Sequence, residues 1–191
     1  MPGGRLVILN GVPRSGKSSI AAALQQAAPG PWLNLGVDAM LAATPARFRP
    51  GIGLRPGGER PDLEPFVKVG YAALFDSLAA HVKAGLDVVA DLGLHEGYSS
   101  PLGLYEDALR RLDGLDVLWV GIICPIEVIM ARRNADTSGR YAAGETVPAP
   151  VQRWQDAVHA GKRYDLEIDT SRTTPAEAAA TILAALAARV S

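Results

Sequence analysis

Five short apolar runs punctuate the chain, and the segments between them carry helical spacing. The first run, Leu6-Val7-Ile8-Leu9-Asn10, is rich in branched side chains and stops at a glycine, which predicts a buried strand. Ser18–Ala28 is alanine-rich, with Ile20 and Leu24 four apart, and predicts a helix stopped by Pro29-Gly30-Pro31. Trp32–Val37 predicts a second strand ending at Asp38, followed by a short helical piece over Ala39–Ala43. Phe66–Ala84 reads as a long amphipathic helix with Gly85 as its left-handed stop. Asp87–Asp91 is a third strand and Leu104–Leu112 a helix. Val117–Cys124, VLWVGIIC, is apolar throughout and predicts a central strand covered on both faces. Pro125 suits the first turn of a helix reaching Asn134; Val151–His159 predicts another helix, Leu166–Asp169 a fifth strand, and Pro175–Val190 a closing helix. Each strand is followed by a helix. That order builds a parallel sheet with helices on both faces, joined by right-handed crossovers: a three-layer α/β fold.

Two stretches break the rhythm. Thr44–Pro65 carries five prolines and four glycines together with Arg47, Arg49, Arg55 and Arg60, so regular structure is not expected there. Ala135–Pro148 is polar and contains glycine, which predicts a loop.

Composition narrows the class. A chain of 191 residues with 48% hydrophobic and 20% charged residues suits one domain over residues 1–191 and excludes a largely disordered chain. A net charge of −1 supplies no basic field for a phosphate polymer, so no nucleic-acid partner is expected. Cys124 is the lone cysteine, which excludes an intrachain disulfide, argues against a structural zinc site and suits a reducing compartment. The N-terminus lacks a leader-like apolar stretch and no window approaches ~18 uninterrupted apolar residues, so the expectation is a cytoplasmic chain with no membrane partner. A homo-oligomer is compatible with these features and not required by them.

The chemistry lies in Gly11-Val12-Pro13-Arg14-Ser15-Gly16-Lys17-Ser18, which fits G-x-x-x-x-G-K-[ST] between a strand and a helix. Glycines let the backbone wrap a phosphate with its N–H groups inward, and the helix start places its positive end against the same phosphates. Lys17 can reach the β/γ-phosphates, and the Ser18 hydroxyl, next to Ser19, is placed to ligate Mg²⁺. The implied cofactors are ATP and Mg²⁺. The N-K-x-D base-reading pattern of GTPases is missing, and the chain is short for a motor or transporter ATPase; a small-molecule kinase with a hydroxyl acceptor is the economical reading.

A kinase must hold its acceptor beyond the carboxyl ends of the strands. Asp38 and Asp91 are expected there. Asp38 is read as the group that orients the acceptor hydroxyl or takes its proton, with a helix N-cap as the alternative. Asp91 is read either as a structural partner of Lys17 or of a phosphate-loop N–H, or as a group near Mg²⁺ or substrate. Arg132 and Arg133 at a helix end, and Arg140 in the loop after it, are candidate phosphate contacts on a closing lid. His81, His95 and His159 show no ligand spacing and read as surface residues. Cys124, Trp32 and Trp119 read as core, and Asp169–Thr173 as a turn before the Pro175 helix.

The segments GVPRSGKSS, PWLNLGVDAML, LDVLWVGIIC and RYDLEIDTS, in this order and spacing, resemble the chloramphenicol phosphotransferase-like proteins over nearly the whole chain. The resemblance implies a P-loop kinase fold with strand order 2-3-1-4-5, and transfer of the γ-phosphate of ATP to a hydroxyl of chloramphenicol or a related antibiotic, hence antibiotic resistance. It matches Asp38 to the family's base and Arg140 to its lid arginine, places residues 44–65 beside the acceptor, and makes 135–148 the lid. The arginines of 44–65 would suit an anionic or more polar acceptor. Two other readings stay open: a kinase for another alcohol (sugar, nucleoside or shikimate-like), and a non-catalytic nucleotide-binding regulator.

Overall fold

The computed structural model of the chain describes residues 3–49, 60–136 and 144–189. Five strands, β1 (Leu6–Asn10), β2 (Trp32–Asn34), β3 (Asp87–Leu92), β4 (Val117–Ile123) and β5 (Leu166–Asp169), form one sheet in the order β2-β3-β1-β4-β5. Every neighbouring pair is parallel. β1 is central: Leu6 lies opposite both Val88 and Val117, and all five of its residues are buried. This is the strand order that the family resemblance implies.

Seven helices cover the sheet among the described residues: α1 (Lys17–Ala27), α2 (Val37–Ala43), α3 (Glu64–Lys83), α4 (Leu104–Arg111), α5 (Ile126–Asn134), α6 (Ala149–Ala157) and α7 (Pro175–Ala188). Side-chain alternation along β1 divides the two faces. Leu6 and Ile8 pack with Phe75 and Leu78 of α3 and Leu104 and Ala108 of α4. Val7 and Leu9 pack with Ile20 and Leu24 of α1 and Ile182 and Leu186 of α7. A third cluster, Val12, Cys124, Ile129, Val151 and Val158, seats α5 and α6 beyond the carboxyl ends of β1 and β4. Trp32, Trp119 and Cys124 are buried, as their positions predict. α3 and α6 each begin two residues before the predicted start, with Pro65 and Pro150 in first turns that need no N–H donor there.

The second strand is shorter than predicted. Leu35 N still donates to Val89 O at 3.0 Å, but the chain turns at Gly36 and α2 starts at Val37. A Cβ on Gly36 would stand 2.6 Å from the Asp91 carbonyl oxygen, so only glycine lets the backbone pass this close to β3. The apolar string WLNLGV conceals this helix start. Asp38 therefore does not end a strand; it is the second residue of α2, and Gly36 takes the N-cap position. Gly36→Ala should push α2 off β3 and destabilise the protein by about 1–3 kcal/mol. Gly30→Ala, where no atom lies within 4 Å of the added Cβ, should leave the melting temperature nearly unchanged; thermal melts of the two variants check the contrast.

Candidate active site

The loop between β1 and α1 is built to surround an anion. Arg14 (φ 69°) and Gly16 (φ 98°) are both left-handed, and this handedness turns backbone N–H groups into a concave nest. At the loop's start, a Cβ on Gly11 would lie 2.6 Å from Ile122 O and 2.9 Å from Ser15 Oγ, so a side chain there would block the cradle. Ser15 Oγ is buried and has no hydrogen-bond partner among the described residues. A nest of donors with one orphaned hydroxyl fits a bound phosphate.

Lys17 and Ser18 meet at one carboxylate. Lys17 Nζ donates to Val12 O at 2.9 Å and stands 3.5 Å from Asp91 Oδ1. Ser18 Oγ donates to Asp91 Oδ2 at 2.6 Å. β3 delivers Asp91 from the strand beside β1, where Leu9 pairs with it in register. Among the described residues no three His, Cys, Asp or Glu side chains form a metal cage of their own. Ser18 with Asp91 fits Mg²⁺ of the kind held by few protein groups plus nucleotide oxygens.

The predicted phosphate arginines behave differently from one another. The Arg132 guanidinium donates to Arg14 O (3.1 Å), to Thr170 Oγ1 (3.2 Å) and to Thr170 O (2.8 Å). Thr170 Oγ1 in turn donates to Ser15 O at 2.7 Å. Arg132 and Thr170 thus brace the phosphate loop from α5 and from the end of β5. Arg14 pairs with Asp136. Arg133 is buried and is not among the cavity-lining residues; Arg140 lies outside the described residues. The turn after β5 does lead into a helix cap, with Thr174 and Glu177 forming a capping box, but Thr170 has this further role that sequence position alone does not signal.

One cavity of about 730 Å³ joins Lys17, Ser18 and Asp91 to Asp38. Beyond the carboxylates its wall is aromatic and aliphatic: Met40, Phe66, Tyr71, Tyr98 and Trp154. Asp38 is exposed and has no hydrogen-bond or ion-pair partner among the described residues, and no side chain caps the α2 start. The described arginines of 44–65 turn to their own surroundings. Arg47 lies over the Phe48 ring at 4.7 Å, Arg49 donates to Thr44 O, and Arg60 pairs with Asp62; none lines the cavity. Arg55 lies outside the described residues.

His95 is not a surface residue: only 2% of it is exposed. Its ring stacks on Tyr98 and tilts against Trp154, each at 4.3 Å between centroids. Burial, helped by the Lys162 charge, pushes its imidazole down to about 3, so the ring is neutral. Burial also holds the Tyr71 and Tyr98 phenols protonated by raising both. His159 is half-buried and is pushed down to about 4 by burial and the Lys162 charge. It bonds the Tyr164 hydroxyl at 2.8 Å; Tyr164 accepts from Asn10 Nδ2, whose Oδ1 takes Leu94 N. His81, as expected, sits on the helix surface, with its ring 2.7 Å from Ser77 O.

The two depressed histidines set an acid limit. Below about pH 6.5 the unfolded chain binds protons at these rings that the folded chain refuses, so stability is complete above that pH and falls as pH drops toward the folded values. A fully buried ring contributes a slope of about 1.4 kcal/mol per pH unit, and the half-exposed His159 less. Urea titrations at about pH 7 and about pH 5 should show this loss, and His95→Gln should reduce it. An equal loss in the variant would place the acid sensitivity elsewhere.

A glycine-loop nucleotide cradle on the central strand of a five-stranded parallel sheet, with a carboxylate from the neighbouring strand facing its lysine, defines the class of P-loop kinases. Within it, the chain belongs to the chloramphenicol phosphotransferase-like family, whose profile matches residues 4–187. A Mycobacterium tuberculosis protein named "Putative O-phosphotransferase" is 30% identical over 189 residues, covering 91% of this chain and 78% of that relative. Two solved kinases share the fold. The Mycobacterium tuberculosis APS kinase, in complex with AMPPNP and APS, superposes with a TM-score of 0.62 at 16% identity, over 97% of this chain and 99% of that one. The shikimate kinase of Acinetobacter baumannii, in complex with shikimate, superposes with a TM-score of 0.61 at 14% identity, over 98% and 96%. No described helix is long and apolar enough to cross a membrane.

Proposed function

We propose that this protein is an ATP- and Mg²⁺-dependent O-phosphotransferase acting on a hydroxyl of a small neutral molecule, with chloramphenicol or a related antibiotic as the first candidate acceptor. The observation that carries this reading is the shared cavity: Lys17, Ser18 and Asp91 converge at one end, and the Asp38 carboxylate, without a partner among the described residues, lines the same space. When bound, ATP supplies the phosphoryl group and Mg²⁺ balances the charge of its oxygens. Residues 11–16 would hold the phosphates by backbone N–H groups, and Lys17 would balance charge there. Ser18 and Asp91 would hold the metal, directly or through water. Asp38 would orient the acceptor hydroxyl and receive its proton. Arg140 joins this set on the family resemblance alone.

The wall favours a neutral acceptor over an acidic one. Among the described residues Arg14 and Arg132 are the arginines lining the cavity, and both have partners, whereas Asp38, with no partner among the described residues, would repel an anion. This weighs against a shikimate-like carboxylate. The test is a panel of chloramphenicol, other hydroxylated antibiotics, sugars, nucleosides and shikimate, incubated with ATP and Mg²⁺ and read by mass spectrometry. A phosphorylated neutral, aromatic-bearing product is the expected result. Phosphorylation confined to shikimate would overturn the neutral acceptor class, phosphorylation confined to sugars would overturn the aromatic-bearing acceptor while leaving a neutral one, and nucleotide binding with no product from any alcohol would favour a regulator.

A further inference from the structure

The acceptor side of the cavity carries an unanswered hydrogen-bond donor. Trp154, on α6, packs its ring against Gly93, where an added Cβ would lie 2.8 Å from the indole, and against the His95 imidazole. Its Nε1–H is buried and has no hydrogen-bond partner among the described residues. An orphaned buried donor costs about 1–3 kcal/mol, which a protein sustains where a ligand answers it. His95 supplies a second donor beside it. Gly97 N donates to His95 Nδ1 at 3.1 Å, so in the neutral ring the proton sits on Nε2. Among the described residues that Nε2–H has no hydrogen-bond partner, and both residues line the cavity. Tyr98, stacked on His95 with ring centroids 4.3 Å apart, fixes the imidazole's plane.

We infer that Trp154 Nε1–H and His95 Nε2–H form a two-donor subsite that binds a carbonyl-type oxygen of the acceptor molecule and selects among neutral alcohols. The subsite rests on the proposed use of this cavity for the acceptor. It names a chemical feature beyond a hydroxyl and a flat apolar body: an uncharged oxygen acceptor such as a ketone, amide or nitro group. A fixed donor pair rejects an isostere without that oxygen, because the buried Trp154 Nε1–H then stays unpaired.

Two isosteric probes isolate the feature: 4-acetylbenzyl alcohol, with a carbonyl, and 4-isopropenylbenzyl alcohol, with a methylene in its place. Wild-type protein with ATP and Mg²⁺ should favour the acetyl compound in kcat/KM by about tenfold or more. In Trp154→Phe that preference should shrink toward unity, chiefly through KM for the acetyl compound, with KM for ATP unchanged. A second readout needs no turnover. The chain has 3 tryptophans, and the indole N–H resonance lost in Trp154→Phe should move downfield when wild-type protein binds the acetyl compound and not the isopropenyl one. Equal kcat/KM for the two probes in wild type, or a preference that survives Trp154→Phe, overturns the subsite while leaving phosphotransfer standing. An indole shift without turnover of either probe supports the subsite and counts against the transfer reading. The absence of both turnover and indole shift would overturn the subsite.

Discussion

Lys17→Ala should reduce phosphoryl transfer by about 10³-fold or more, because it removes a positioned cation from the site where charge develops. Lys17 is 8% exposed, and its ammonium is held between Val12 O and Asp91. That mooring fixes the charge at the mouth of the phosphate loop before any substrate arrives, so little reorganisation remains for the reaction. The fold should survive the change. Asp91 keeps its 2.6 Å hydrogen bond from Ser18, and the apolar side of α1, Ile20 and Leu24, remains packed on the sheet. The measurement is steady-state turnover of the acceptor found by the panel, alongside a thermal melt. A variant that melts like wild type and turns over within about tenfold of it would remove the loop from the mechanism.

The phosphate loop was legible because its chemistry is local. The spacing from Gly11 to Ser18 dictates a nest, a helix start and two side chains in a single turn, and no distant residue is needed to read it. The central strands were legible for a related reason: runs buried on both faces, such as Leu6–Asn10 and VLWVGIIC, leave little ambiguity. What escaped was whatever depends on two distant segments meeting. Gly36 looks like one more residue of an apolar strand until β3 is placed against it and its lack of a Cβ becomes necessary. His95 follows a strand and looks solvent-bound, but Trp154 from α6 and Tyr98 from its own loop enclose it. Arg132 lines the cavity where phosphate contact is the expectation, and its guanidinium also spans to Thr170 and Arg14 O, a bracing contact that sequence position does not signal. The arginines of 44–65 suit an anionic or more polar acceptor by number; those described are held by Phe48, Thr44 and Asp62, outside the cavity.

Asp38→Asn should lower kcat by about 10²–10⁴-fold if the carboxylate takes the acceptor's proton. The position makes this an unusually clean substitution. Asp38 is the second residue of α2, exposed, with Gly36 as the N-cap, so no cap is lost with its charge. The remaining structural cost is the favourable interaction of an acid with the helix's positive end, about 0.3–1 kcal/mol. Asn keeps the shape and can still accept a hydrogen bond, but it cannot hold the proton. Nucleotide affinity should stay constant, because Lys17, Ser18 and Asp91 form their contacts without Asp38. A loose phosphoryl-transfer transition state would shift weight from proton removal to placement, and a drop of only about tenfold would then mark Asp38 as the group that orients the hydroxyl. The split between constants separates the cases: a base lowers kcat at constant acceptor KM, whereas a group used only for binding raises KM at constant kcat. An Asp38→Asn enzyme with both constants unchanged would mean that the hydroxyl is handled elsewhere in the cavity.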